Sequence, residues 1–262
     1  MNNPWTLYDE LIAGIPAEPT VQYYQGGYHW SRVVSSEGSV GLAMTIPLIS
    51  RPSLSEEASL IGRPLRQVAE LVKSWNFVEA AIGMAAINSW YNQPLRAAAC
   101  GFSHPGIEKG KREAFDVYFG EAKGKKVAII GHFPFIEKRF SGHCDLSILE
   151  RDPDFGDFPD SACEYLLPKQ DYVFITGSTF VNKTLPRLLQ LSEGARAVIV
   201  GPSTPLAPFL FDRGVYGLSG FVSSDIEKLE DALRGANNMH LFDAGLMVDQ
   251  IREKTALNGQ EM

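Results

Sequence analysis

Three short, wholly apolar runs, each closed by glycine, constrain this chain more than any other feature: V-A-I-I-G ending at Gly131, Y-V-F-I-T-G ending at Gly177 and A-V-I-V-G ending at Gly201. Runs of this length without polar alternation fit strands buried on both faces, as in a parallel sheet. Around Gly177 the pattern continues as a glycine turn and then Ser178 and Thr179, hydroxyl residues suited to cap a helix over residues 180–192. Strand candidates at 127–130, 144–149, 172–175, 197–200 and 218–222 alternate with helix candidates at 135–140, 161–167, 180–192 and 206–213. That alternation predicts a parallel sheet covered by helices. In such a sheet, ligands bind where strands end and helices begin.

The chain before residue 120 has another rhythm. Strand-like runs at 21–25, 28–35 and 40–46 are separated by Gly26-Gly27 and Glu37-Gly38, two hairpin signals that predict an antiparallel meander. Helices are expected at 3–13, at 65–75 and at 77–91, the last so poor in polar residues that it must be buried. Residues 120–125, hydrophilic with two glycines, read as a linker. The expected fold is therefore α/β overall, with an α+β domain at 1–120 and a parallel α/β domain at 121–262. Helices at 225–235 and 243–254 close the chain.

Bulk properties narrow the partners. A net charge of -7 and a pI near 5.3 disfavour a general nucleic-acid binder, which needs a basic face. No basic n-region or long apolar segment marks a secretion or membrane signal, and three cysteines without a C-x-x-C pair fit a reducing compartment, so a cytoplasmic protein is expected.

The strand ends supply the candidate site. Gly131 with His132 and Phe133, Thr176 with Gly177, Ser178 and Thr179, and Gly201 with Ser203 and Thr204 can line one carboxyl edge. G-H-F-P-F-I lacks the later glycines of a dinucleotide fingerprint. Glu150, about 20 residues after Gly131, stands where an acidic side chain accepts ribose hydroxyls; pairing with Arg151 at the surface is the other reading. His132 is the candidate acid, base or metal ligand. Cys100 and His104, four residues apart in an irregular loop, are weak metal candidates, whereas Cys144 and Cys163 read as core residues. Asn88, on the apolar helix, is either a satisfied core amide or a group offered to the cleft.

Taken in order, G-M-A-A-I-N-S, V-A-I-I-G-H-F-P-F, L-E-R-D-P, D-Y-V-F-I-T-G-S-T-F-V-N-K-T-L and V-I-V-G-P-S-T-P-L resemble the recurring motifs of the "putative heavy-metal chelation" family along essentially the whole chain. The resemblance implies an enolase-N-terminal-like domain joined to a Rossmann-like domain, a homodimer, and a cleft carrying Asn88, His132, Phe133, Glu150, Thr176, Gly177, Ser178, Asn182 and Ser203. Two functions follow. One is a small-molecule-binding protein whose cleft takes an anionic ligand, a metal chelate or its precursor, with a metal ion or chelate as the bound group. The other is an enzyme with an adenosyl or nucleotide cofactor, in which His132 is the acid or base.

Overall fold

A computed structural model of the chain describes residues 3–104, 115–133, 139–234 and 238–252. The helix expected at 135–140 falls mostly outside these residues, as does the tail beyond 252. The chain opens with α1 (Thr6–Ala13), followed by β1 (Val21–Gln25), β2 (Trp30–Ser35) and β3 (Val40–Met44), which pair in that order as the predicted antiparallel meander. A loop leads to α2 (Leu65–Ala69), which passes into a 3₁₀ turn (Glu70–Lys73), and then to α3 (Phe77–Tyr91).

Helix α3 starts where Asn76 caps it, its side chain accepting a hydrogen bond from Glu79 N at 3.3 Å. Its alanines and glycine leave little volume, so β3 and the Glu70–Lys73 turn both approach its backbone closely. Glu79 is buried, and its carboxylate is satisfied by the N–H groups of Leu54 (2.7 Å) and Ser55 (2.8 Å), which tie down the long loop after the meander.

After α4 (Pro94–Ala99), α5 (Asp116–Ala122) enters the second layer. Here β4 (Lys126–Ile130), β5 (Asp145–Glu150), β6 (Phe158–Pro159), β7 (Tyr172–Thr176), β8 (Arg196–Val200), β9 (Val215–Ser223) and β10 (Gly245–Ile251) form one sheet in the order β10-β9-β8-β7-β4-β5-β6. All neighbours run parallel except β10, which is antiparallel to β9. Helices α6 (Cys163–Leu166), α7 (Leu185–Leu191) and α8 (Ile226–Arg234) complete the chain.

The apolar strands carry a period of two that the sequence hides. Val127, Ile129, Phe174 and Val198 face one side with Phe115, Tyr118 and Ala122 of the α5 segment; Ala128, Val173, Ile175 and Ile199 face the other. On that second face the core runs without a break into the meander layer through Leu7, Leu11, Met84 and Ile87. Each such fully buried side chain contributes about 1.5–3 kcal/mol. The Tyr8 hydroxyl donates to Phe180 O at 3.0 Å across this junction. Helix α5 packs on the large sheet, so the chain has crossed to that layer before the glycine-bearing 120–125 stretch, and the 120/121 division falls inside the helix.

Three elements differ from the sequence reading. The helix expected at 243–254 is β10: seven residues pair with β9, and this pairing overrides local propensity. The helix expected at 180–192 begins only at Leu185, because Lys183 adopts a left-handed backbone (φ 64°) and interrupts the turn. The helix expected at 206–213 is a 3₁₀ turn, Pro208–Arg213, led by a proline. Among the described residues no helix is long and apolar enough to cross a membrane.

Candidate site at the carboxyl edge of the large sheet

Counted along the chain, the sheet order places the first strand, β4, between the second, β5, and the fourth, β7. The connections therefore leave β4 and β7 in opposite directions, the arrangement in which open α/β sheets bind ligands outside the carboxyl ends of their strands. Gly131 follows β4 and Thr176 ends β7. Gly131 has φ 101°, and a Cβ there would lie 3.1 Å from Thr176 Cγ2, so both backbone conformation and space require glycine.

The next residue, His132, is exposed and held from several sides. Its N–H donates to Glu150 Oε1 at 3.1 Å, and the other Glu150 oxygen accepts Arg151 N at 2.6 Å. Glu150 thus ties the end of β4 to the end of β5. The His132 Nδ1 lies 3.1 Å from Asp157 Oδ2, an atom that also accepts Asp154 N at 3.1 Å. The Asp157 side chain is only 4% exposed. Phe133 turns inward, its ring 5.0 Å from that of Phe115. Sequence reasoning passed over Asp154 and Asp157; the available signal was the D-P-D-F-G-D turn between the second strand and the edge strand.

At the end of β7, the hydroxyls divide by role. Thr179 is buried and donates to Thr176 O at 2.6 Å, and Gly177 packs against Thr204, so both build the turn. Thr176 Oγ1 and Ser178 Oγ are 3.1 Å apart and half-buried. Asn182 closes a local turn, accepting Thr184 N (3.1 Å) and Thr184 Oγ1 (2.6 Å).

Lys183 follows, and its amine donates to Ser74 O and, at 2.8 Å, to Val181 O, over the rings of Trp75 and Phe77. Burial pushes this amine down to about 7, against the opposing charge of Glu79. Between that value and the ordinary 10.5, the unfolded chain carries a proton that the folded one lacks. Stability should therefore rise with pH across this window. Urea unfolding at its two ends should show Lys183→Met with a smaller rise than the parent.

The third turn faces the meander. Ser203 Oγ accepts Met44 N at 2.8 Å, while Asn88 Nδ2 donates to Leu42 O at 2.7 Å. Leu42 and Met44 present these groups on the side of β3 away from β2, so Asn88 and Ser203 occupy successive rungs of its free edge. Asn92, one turn after Asn88, donates to Thr204 O (2.9 Å) and Phe221 O (3.1 Å) and accepts Leu206 N (3.0 Å). It is the main polar stitch between the layers, and the sequence reading missed it. Asn88 Oδ1 and Thr204 Oγ1 are buried without a protein partner.

Among the cysteines, Cys163 is buried, which pushes its thiol up to about 11, and Cys144 is likewise raised by burial. His104 Nδ1 contacts Met247 O at 2.8 Å. Neither His104 nor Cys100 belongs to a group of three potential metal ligands among the described residues; His132, Asp154 and Asp157 do form one. Nitrogen and carboxylate donors without thiolate suit divalent ions of intermediate softness.

A strand order of this kind, with its glycine turns at the switch point, defines a Rossmann-like α/β protein joined to an antiparallel meander layer. The chain belongs to the DUF364 family, described as "Putative heavy-metal chelation", whose profile matches residues 113–251; a second profile with the same description, DUF4213, matches residues 8–91. It is 42% identical to a DUF364 protein of unknown function from Desulfitobacterium hafniense, whose crystal structure superposes with a TM-score of 0.86 over 96% of this chain and 100% of that one. A Pyrococcus horikoshii protein of the family shares the fold at 22% identity, with a TM-score of 0.77 over 95% of this chain and 99% of that one. An uncharacterized protein of Methanocaldococcus jannaschii is 28% identical over 77% of this chain and 76% of its own length.

Proposed function

We propose that the protein binds an anionic small molecule, a metal chelate or its precursor, in a crevice at the carboxyl ends of β4 and β7, beside Gly131 and Thr176, where the meander layer supplies the second wall. The observation that carries this reading is the switch point itself, with its glycine, half-buried hydroxyls and exposed imidazole together at adjoining strand ends. Hydroxyl donors at Thr176 and Ser178 would hold a carboxylate or phosphate, and His132 would meet its metal or its proton. The family description agrees with a metal-bearing ligand. The meander layer and the layer of the large sheet would act as the two halves of the site.

Native mass spectrometry of protein taken from its own host should show a retained small molecule on a dimer. Zinc citrate, used as a probe, should raise the melting temperature, and Thr176→Val with Ser178→Ala should remove that rise. Protein that emerges without a ligand and ignores zinc citrate would overturn the reading. A second reading keeps the place of Glu150: in this strand order, an acidic residue at the end of the second strand accepts ribose hydroxyls. A melting temperature raised by S-adenosylmethionine or a nucleotide, and not by zinc citrate, would favour an enzyme with such a cofactor.

A further inference from the structure

Beside that crevice, His132 just after β4 meets two carboxylates of the loop between β5 and β6, Asp154 and Asp157, that the anion-binding reading does not use. We infer that His132, Asp154 and Asp157 form a site for one divalent cation of intermediate softness, such as Zn²⁺ or Co²⁺, with coordination positions left open to a small-molecule ligand. The ligand atoms of the three residues lie within 4.8 Å of one another. Around a tetrahedral zinc ion with bonds of about 2.1 Å, neighbouring donors stand roughly 3.4 Å apart. His132 Nδ1 and Asp157 Oδ2, at 3.1 Å, come within a few tenths of an ångström of that spacing. Asp154 is exposed, so a rotamer change can bring its carboxylate in.

The surroundings prepare the pair. The Asp157 side chain is 4% exposed and accepts Asp154 N, so its carboxylate has a fixed direction. Glu150 accepts His132 N and fixes the histidine backbone at the end of β4. Arg151, the basic residue next in sequence, pairs with Asp160 at 3.5 Å. One imidazole and two carboxylates are three protein ligands, the number that catalytic and ligand-exchanging zinc sites use when they keep an open position.

A bare His132–Asp157 ion pair is the rival account, and metal titration separates the two. Chelator-treated protein should take up one equivalent of Co²⁺ by calorimetry, with a visible absorption spectrum that Zn²⁺ abolishes. Asp157→Asn and His132→Gln should each weaken uptake by about tenfold or more, since loss of even a supporting group costs that much. Cys100→Ser should bind as the parent does. Because Asp157→Asn could loosen its loop, Asp154→Asn and His132→Gln, which alter exposed side chains, carry the test if it does not fold. Parent protein that takes up neither ion in the micromolar range would overturn the inference, as would His132→Gln and Asp154→Asn binding as the parent does. The inference shares His132 with the proposed anion site but does not rest on its hydroxyls: Co²⁺ uptake should survive in Thr176→Val with Ser178→Ala, so either assignment can fail alone.

Discussion

Gly41→Ala should be among the most damaging single-methyl additions in the protein, lowering unfolding free energy by about 3 kcal/mol or more. A Cβ at this position would stand 2.0 Å from both Ala85 O and Ser89 N and 2.6 Å from Asn88 C. These are backbone atoms of α3, so no rotamer change relieves the overlap. The helix cannot retreat either, because on the Glu70–Lys73 side a Cβ at Gly83 would meet Val72 N at 2.0 Å, which shows how tightly that flank is packed. For a protein of this size, 3 kcal/mol corresponds to a fall in melting temperature of about 6–12 °C. Gly120→Ala is the control: nothing lies within 4 Å of its added Cβ, and alanine is the better helix former, so α5 should tolerate it or gain. Equal melting temperatures for Gly41→Ala and the parent would show that β3 and α3 do not pack as described.

Asn92→Ala should cost nearly as much by a different route. The side chain is 2% exposed and makes three hydrogen bonds, leaving Thr204 O, Phe221 O and Leu206 N to find other partners once it is removed. A buried group left unsatisfied costs about 1–3 kcal/mol, so a loss of roughly 3–5 kcal/mol is expected where water cannot enter fully. Asn92→Asp keeps an acceptor for Leu206 N but turns a carboxylate toward two carbonyls, and it should be no better. Urea unfolding measures both. A loss below about 1 kcal/mol for Asn92→Ala would mean that solvent replaces the amide readily.

Strands were legible because burial on both faces leaves an unmistakable trace: β4, β7 and β8 are apolar over 127–130, 172–175 and 197–200, and each ends one residue before a glycine. Helix α3 was legible to the residue, since a long apolar run without β-pattern breaks admits little else. Strand β10 was not, because its seven residues gain their conformation from β9 and not from their own propensity. The two-residue β6 is too short to signal itself. At the candidate site, Gly131, His132, Glu150 and Thr176 could be placed because strand ends could be placed. Asp154 and Asp157 could not, since carboxylates in a glycine turn read as solvated surface until the fold shows Asp157 turned inward beside His132. Ser203, Thr204 and Asn88 were found as candidates, yet the structure buries them at the junction of the layers.

That junction has a further consequence for how the molecule behaves in a crowded solution. Strand β3 lies at the margin of its sheet, and an unpaired margin is a template on which a second chain can add a strand. Here Leu42 O and Met44 N are taken by side chains, Asn88 from a helix and Ser203 from a loop of the other layer. Neither partner can extend as a strand, so the sheet ends at this edge without inviting growth. The Ser203 contact that joins the layers therefore also guards this edge of the meander against strand addition, a protection that lasts only while the layers stay together.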